Sequence, residues 1–162
     1  MVGWTRFAED APELATIGER LLHKTGLCLL GTLRKDGWPR ISPCEVYIVD
    51  GELMLGMMWR SKKALDLIRD SRVVVHSATC DRNGHDGDFK LYGRTVDVSD
   101  PAARAHYADA VEAEINWRPK DPYHLFAVDA HSASYINYAE DDRRAMRWDR
   151  ERGFEHIRHP DD

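Results

Sequence analysis

The chain has 162 residues, with 23 lysines and arginines against 28 aspartates and glutamates, for a net charge of -5. Hydrophobic residues make up 43% and charged residues 31%, which excludes global disorder and is the balance of an ordinary soluble domain. A chain of this length buries roughly 70% of its unfolded surface, enough for a core without disulfides. No apolar run approaches the roughly 18 residues needed to span a bilayer, and the N-terminus shows no basic stretch leading into a hydrophobic one. A cytoplasmic protein without membrane partners is therefore expected. Cys28, Cys44 and Cys80 form no C-x-x-C pair and leave one thiol over, which suits a reducing compartment. An isoelectric point near 5.9 argues against a nucleic-acid partner but leaves room for a local basic site.

Asp10-Ala11-Pro12-Glu13 reads as a helix start, with Asp10 as capping acceptor and Glu13 three residues on. Leu14, Ile17, Leu21 and Leu22 continue that helix to about Thr25-Gly26. Leu27 to Leu33, Arg40 to Val49 and Glu52 to Met57 read as three antiparallel strands. They are joined by turns at Lys35-Asp36-Gly37 and Asp50-Gly51. A short helix from Ser61 to about Arg69 and a strand from Arg72 to Ala78 follow. Cys80 to Gly87 is a polar surface loop, and Asp88 to Val98 is a strand. Asp100-Pro101 opens a helix carrying Ala103, Tyr107, Val111 and Ile115 at helical spacing. Leu125 to Val128 and Ser134 to Tyr138 are further strands. The tail from Glu140 alternates acids and arginines, with Trp148, Phe154 and Ile157 as its apolar anchors. No repeat or linker divides the chain, so 1–162 is read as one domain with a charged tail over about 139–162. The pattern predicts an α+β, mainly β protein built on an antiparallel barrel with flanking helices.

Met57-Met58-Trp59-Arg60-Ser61-Lys62-Lys63 places three cations around a helix start. The helix dipole disfavours each lysine there by about 0.3–1 kcal/mol unless something compensates. A bound anion would use the free backbone N–H groups and pair with Lys62 or Lys63. The alternative is a solvated run extending into water. Arg40 and Ser42, two apart on a strand, share a face and can reach the same anion.

Gly31-Thr32-Leu33-Arg34-Lys35-Asp36-Gly37-Trp38-Pro39-Arg40, the Asp50-Gly51 turn, Ser61-Lys62-Lys63, Arg69-Asp70-Ser71-Arg72-Val73 and Gly93-Arg94-Thr95 together resemble the pyridoxamine 5'-phosphate oxidase-like superfamily. The resemblance covers roughly residues 15 to 138 in order and spacing. It implies a homodimer of flavin-binding split β-barrels with FMN at the subunit interface. Ser61, Lys62, Lys63 and Arg40 would hold the cofactor phosphate. Ile41, Ser42, Pro43, Cys44 and Glu45 would line the isoalloxazine ring through backbone groups, with Gly56 and Met57 near the ribityl chain and ring. Asp88 stands at about the place of a glutamine near the ring. Glu45 replaces a lysine that serves the substrate phosphate in the oxidases proper, and Arg158-His159-Pro160 replaces their Arg-x-His motif. These departures turn the reading away from vitamin B6 phosphate oxidation.

The resemblance implies an oxidoreductase that passes hydride between flavin and a small organic substrate, with no catalytic side chain required. Coenzyme F-420, a deazaflavin, is the alternative cofactor. A non-catalytic flavin- or haem-binding dimer, with His76 or His124 as haem ligand, and a binder of a phosphorylated metabolite are the other readings. Tyr92, Trp117, Trp148 and Met58 are expected in the core rather than in a pocket. Cys80 and His85 match no zinc signature, and Arg143, Arg144 and Arg147 read as a salt-bridged surface helix.

Overall fold

Nine strands and four helices are seen in the computed structural model, which describes residues 1–79, 82–140 and 142–162. The chain opens with two helices, α1 (Trp4–Asp10) and α2 (Pro12–His23). Asp10 is not the expected cap: it closes α1, and Ala11 precedes α2 without a side-chain capping bond. Pro12 does take the first helical position, where its missing N–H costs nothing, and Leu14, Ile17, Leu21 and Leu22 are buried as the periodicity predicts. Glu13 reaches across the fold to Arg144 and His156, at 3.0 Å each.

β1 (Leu27–Leu33) and β2 (Pro39–Glu45) form the first hairpin. The strand expected over Arg40 to Val49 is in fact divided. β2 ends at Glu45, and after Val46 a new strand, β3 (Tyr47–Val49), pairs with β4 (Glu52–Met58). Asp50 and Gly51 join them with φ of 52° and 77°, the positive pair of a type I′ turn.

α3 (Lys62–Arg69), β5 (Arg72–Ser77), β6 (Asp88–Asp97) and α4 (Pro101–Ile115) follow. The helix opened by Asp100-Pro101 is α4, as expected, and Asp100 caps it, accepting from the Ala103 N–H at 2.8 Å. The two strands expected near 125 and 134 are one, β7 (Tyr123–Asn137), paired along its length with β6 across a bulge at Tyr92/Gly93. The polar stretch that hid this continuity is satisfied by its neighbours: Asp129 accepts from the Val2 N–H at 2.6 Å and from Arg150 at 2.7 Å.

The C-terminal tail is a further correction. It forms a hairpin, β8 (Arg144–Asp149) and β9 (Gly153–His156), laid on β7. Arg144 and Arg147 are salt-bridged as expected, to Asp142 and Glu155, but from a strand rather than a helix. Among the acids of the tail, Asp142 is thus paired, Asp161 and Asp162 lie 3.3 and 3.8 Å from Arg143, and Asp141 lies outside the described residues.

The sheet order β2-β1-β5-β6-β7-β4-β3 puts two segments that are consecutive in the chain at opposite edges. The sheet curls until β2 faces β4, where the Cys44 thiol meets the Gly56 carbonyl at 3.5 Å. The protein is thus an α+β, mainly β antiparallel split barrel. Phe7, Leu14, Leu30, Leu55, Phe89 and Trp148 fill its core. A second cluster of Tyr47, Met54, Tyr107, Val111 and Leu125 seats α4 on β3, β4 and β7. Among the described residues no helix is long and apolar enough to cross a membrane.

Because Trp148 is 1% exposed and packs on the Phe7 ring at 5.0 Å, Trp148→Ala is expected to destabilise the fold by about 3–5 kcal/mol. Urea unfolding followed by circular dichroism measures it; a loss under 1 kcal/mol would mean the tail hairpin is not part of the core.

Candidate functional site

The seam between β2 and β4 opens into a cleft of about 790 Å³. Pro43, Cys44 and Glu45 form one wall, and Gly56, Met57 and Met58 the other. Its far side comes from α4 and the segment after it, through Tyr107, Ile115, Trp117, Lys120 and Tyr123. The Tyr107 ring stands over β4 at the one place where β4 has no side chain. A Cβ on Gly56 would lie 2.1 Å from the Tyr107 hydroxyl oxygen. Burial, helped by the charge of Glu45, pushes the Tyr107 phenol well above its ordinary pKa, so it stays protonated. Burial also pushes the Cys44 thiol up to about 11, with Lys63 pulling it back and Glu45 pushing it further. Cys28, directly opposite on β1, is raised for the same first reason.

Around the start of α3 lies a second, shallower hollow, lined by Arg34, Lys35, Asp36, Arg40, Lys62, Leu65, Asp66 and Arg69. Arg34 is paired with Asp36 at 2.7 Å. Arg40 Nε donates to Asp66 Oδ2 at 2.6 Å, and the Thr32 hydroxyl donates to the same oxygen at 3.0 Å. Arg69 donates to Asp66 Oδ1 at 3.2 Å and to the Leu33 carbonyl. Among the described residues neither Lys35 nor Lys62 makes an ion pair.

The fold divides eight of the predicted site residues between these two depressions, and Ile41, Ser42, Ser61 and Asp88 line neither. Pro43, Cys44, Glu45, Gly56, Met57 and Lys63 line the cleft, whereas Arg40 and Lys62 line the hollow. Lys63 turns away from Lys62 and donates to the Pro43 carbonyl. Ser42 shares the inner face of β2 with Arg40, since their β1 partners are Leu30 and Thr32; Ile41 points the other way and is 74% exposed. Ser61 occupies the N-cap of α3, but its hydroxyl makes no capping bond and is buried without a partner. Arg60 is exposed and lines neither depression, and Asp88 lies at the start of β6, accepting from Thr79 at 2.9 Å.

Trp148 is in the core as expected, but Trp117 and Met58 are exposed in the cleft, and Tyr92 is exposed on β6. Of the two candidate haem ligands, His76 is held by the Ser77 carbonyl at 2.5 Å, and His124 stacks on Trp59 at 4.5 Å. Among the described residues no group of three or more histidines, cysteines or acids could hold a metal. Of the pair considered for zinc, Cys80 lies outside those residues.

Sequence reasoning missed Asp66, Arg34, Lys35 and Arg69 in the hollow, Thr32 behind Asp66, and Tyr107 in the cleft. One signal was available: Asp66 stands between Ala64 and Leu67 on the inward face of α3, where a lone carboxylate needs cationic partners.

The sequence profile of the pyridoxamine 5'-phosphate oxidase family matches residues 18–137. The chain belongs to that family. Among curated proteins nothing matches. Solved structures similar to it include a haem-binding protein from Mycobacterium smegmatis (18% identity, TM-score 0.64), where the match covers 80% of this chain but only 56% of that one. A Clostridium acetobutylicum protein related to general stress protein 26, of the pyridoxinephosphate oxidase family, aligns over 86% of this chain and 97% of its own, with 16% identity and a TM-score of 0.64. PhzG from Burkholderia lata, solved with tetrahydrophenazine-1-carboxylic acid, aligns over 91% of both chains, with 13% identity and a TM-score of 0.63. At such identities the likeness is one of fold.

Two measurements test the cleft. Gly56→Ala is expected to displace Tyr107 and cost about 1–3 kcal/mol of stability, read from the urea midpoint; an unchanged midpoint would remove the close approach. In a Cys80→Ser background, iodoacetamide labelling of native Cys44 should begin only as pH rises toward 11. At pH 8 the thiolate fraction of Cys44 is at least roughly a hundredfold below that of a free thiol, whose pKa is near 8.5. Rapid labelling at pH 8 would contradict the burial argument.

Proposed function

We propose that this protein is a flavin-dependent oxidoreductase, binding FMN with the phosphate in the basic hollow and the ring in the cleft. The observation that carries this reading is the division of two adjacent lysines: Lys62 lines the hollow and Lys63 the cleft. β2 connects the same two places, from Arg40 to Glu45, five steps that span about 17 Å at strand rise. An elongated ligand with an anionic end and a flat body matches that layout. The donor chemistry fits as well. The Arg40 guanidinium and the Lys62 ammonium suit a phosphate monoester, the Ser61 hydroxyl is a buried polar group with no protein partner, and Met57, Tyr107 and Trp117 offer apolar faces to a planar ring.

Bound there, a flavin would supply two-electron hydride transfer to or from a small organic substrate. The protein's share is binding, orientation and exclusion of water. As the edge strand of the sheet, β2 leaves alternate backbone N–H and C=O groups unpaired toward the seam, available to the polar rim of a heterocycle. Tyr107 holds its proton beside Gly56 and can donate a hydrogen bond to an oxygen in the cleft. Glu45 places a negative charge on the cleft wall, which disfavours a phosphorylated substrate and favours an uncharged or cationic one. Leu27, Leu29 and Ile41 are exposed side by side on the outer face of β1 and β2. Apolar exposure of that kind next to a binding cleft supports a homodimer in which a second copy closes the site.

The test is titration of the purified protein with FMN, riboflavin and F-420, following ligand fluorescence, together with its absorption spectrum as isolated. FMN should bind in the micromolar range or tighter. Lys62→Ala should weaken FMN about tenfold or more, the worth of a charge-assisted hydrogen bond, and leave riboflavin within twofold. Saturation by F-420 without FMN binding would move the reading to the deazaflavin, a Soret band would move it to haem, and no binding would sink it.

A further inference from the structure

We propose that Asp66 is a positioning residue for the basic hollow, orienting Arg40 so that its two Nη groups face a phosphate group seated beside Lys62. The proposal rests on the hollow being the anion-binding end of the site described above, and it assigns a role to a residue of the opposite charge.

A carboxylate inside an anion site is, by Coulomb's law, a liability, since it repels the ligand it sits beside. Asp66 is also 3% exposed, so water screens it poorly. Its value lies in geometry. The guanidinium has an Nε edge and an Nη edge in fixed relation. Asp66 occupies the Nε edge of Arg40 at 2.6 Å, and no hydrogen bond among the described residues uses the Nη groups of Arg40. Those groups stay available for a bidentate contact. The carboxylate is itself held in place: Thr32 donates to the oxygen that Arg40 uses, and Arg69 donates to the other.

Arg69 also reaches the Leu33 carbonyl, so β1, β2 and α3 are pinned around one carboxylate. Lys62 stands one turn before Asp66 on α3, on the same side of the helix, and it lines the same hollow as Arg40. Burial acts to raise the Asp66 pKa, but the bonds from Arg40, Thr32 and Arg69 outweigh it and hold the group below its ordinary value. The clasp is therefore intact at neutral pH.

Positioning and simple charge make opposite predictions. Asp66→Asn removes a negative charge from the hollow, so charge alone would strengthen phosphate binding, whereas loss of the clasp would weaken it. The probes are inorganic phosphate, followed by phosphorus NMR in a low-salt buffer, and the pair FMN and riboflavin. We expect Asp66→Asn to weaken phosphate and FMN about tenfold while riboflavin stays within twofold. Arg40→Lys, which keeps the charge and loses the Nε donor, should do the same. If Asp66→Asn fails to fold, Thr32→Val loosens the clasp with both charged partners in place and should give a smaller loss, about threefold, again confined to the phosphate-bearing ligands.

Equal or tighter phosphate binding by Asp66→Asn would overturn the proposal, as would an equal loss for FMN and riboflavin or wild-type protein that binds no phosphate at millimolar concentration. If the wild type binds phosphate but no flavin, the cofactor reading fails and the sign of the phosphate response still decides the role of Asp66.

Discussion

The change of partner at Val46 is the constraint on which the rest of the molecule depends. Up to Glu45 the chain pairs with β1; from Tyr47 it pairs with β4, at the other edge of the sheet. A strand has two edges and one direction, so two consecutive segments can serve opposite margins of one sheet only if that sheet curls back on itself. The curl brings β2 against β4 without a backbone ladder between them. The cleft is that unclosed seam, and its walls are the last residues of β2 and the last residues of β4.

α3 sits across one end of this seam and decides how charge is distributed around it. The protein is acidic as a whole, yet five cations surround the hollow at the helix start. Successive residues of a helix point about 100° apart. Lys62 and Lys63 therefore serve different depressions, and a basic run in sequence becomes two separated single charges. Asp66, one turn on, returns to the Lys62 side and anchors Arg40 and Arg69. The hollow is organised by its one buried acid as much as by its bases.

Much of the architecture was legible. α2 and β1, the hairpin turns and the capped start of α4 followed from short-range signals: Pro12 at a first turn, Asp50-Gly51 in a type I′ turn, Asp100 accepting from Ala103. What escaped had a common cause. α1 is short and takes its stability from Trp4 and Phe7 packing on distant aromatic rings. β7 runs through Asp129 because Val2 and Arg150, far away in sequence, satisfy that carboxylate. The tail reads as charged because one side of β8 faces water; Met146 and Trp148, alternating with Arg147, face the core.

By itself the sequence determined the local elements, the mainly antiparallel β class and the presence of a basic motif at a helix start. Those properties depend on neighbours a few residues apart, through turn chemistry, periodicity and capping. Only the tertiary structure decided which depression Lys62 and Lys63 each serve, that Asp66 holds Arg40, and that Tyr107 stands over Gly56. Each is a contact between groups far apart in the chain, or a direction fixed by such a contact. The energies that select them, burial and the pairing of buried charge, exist only once the sheet has curled and the seam has formed.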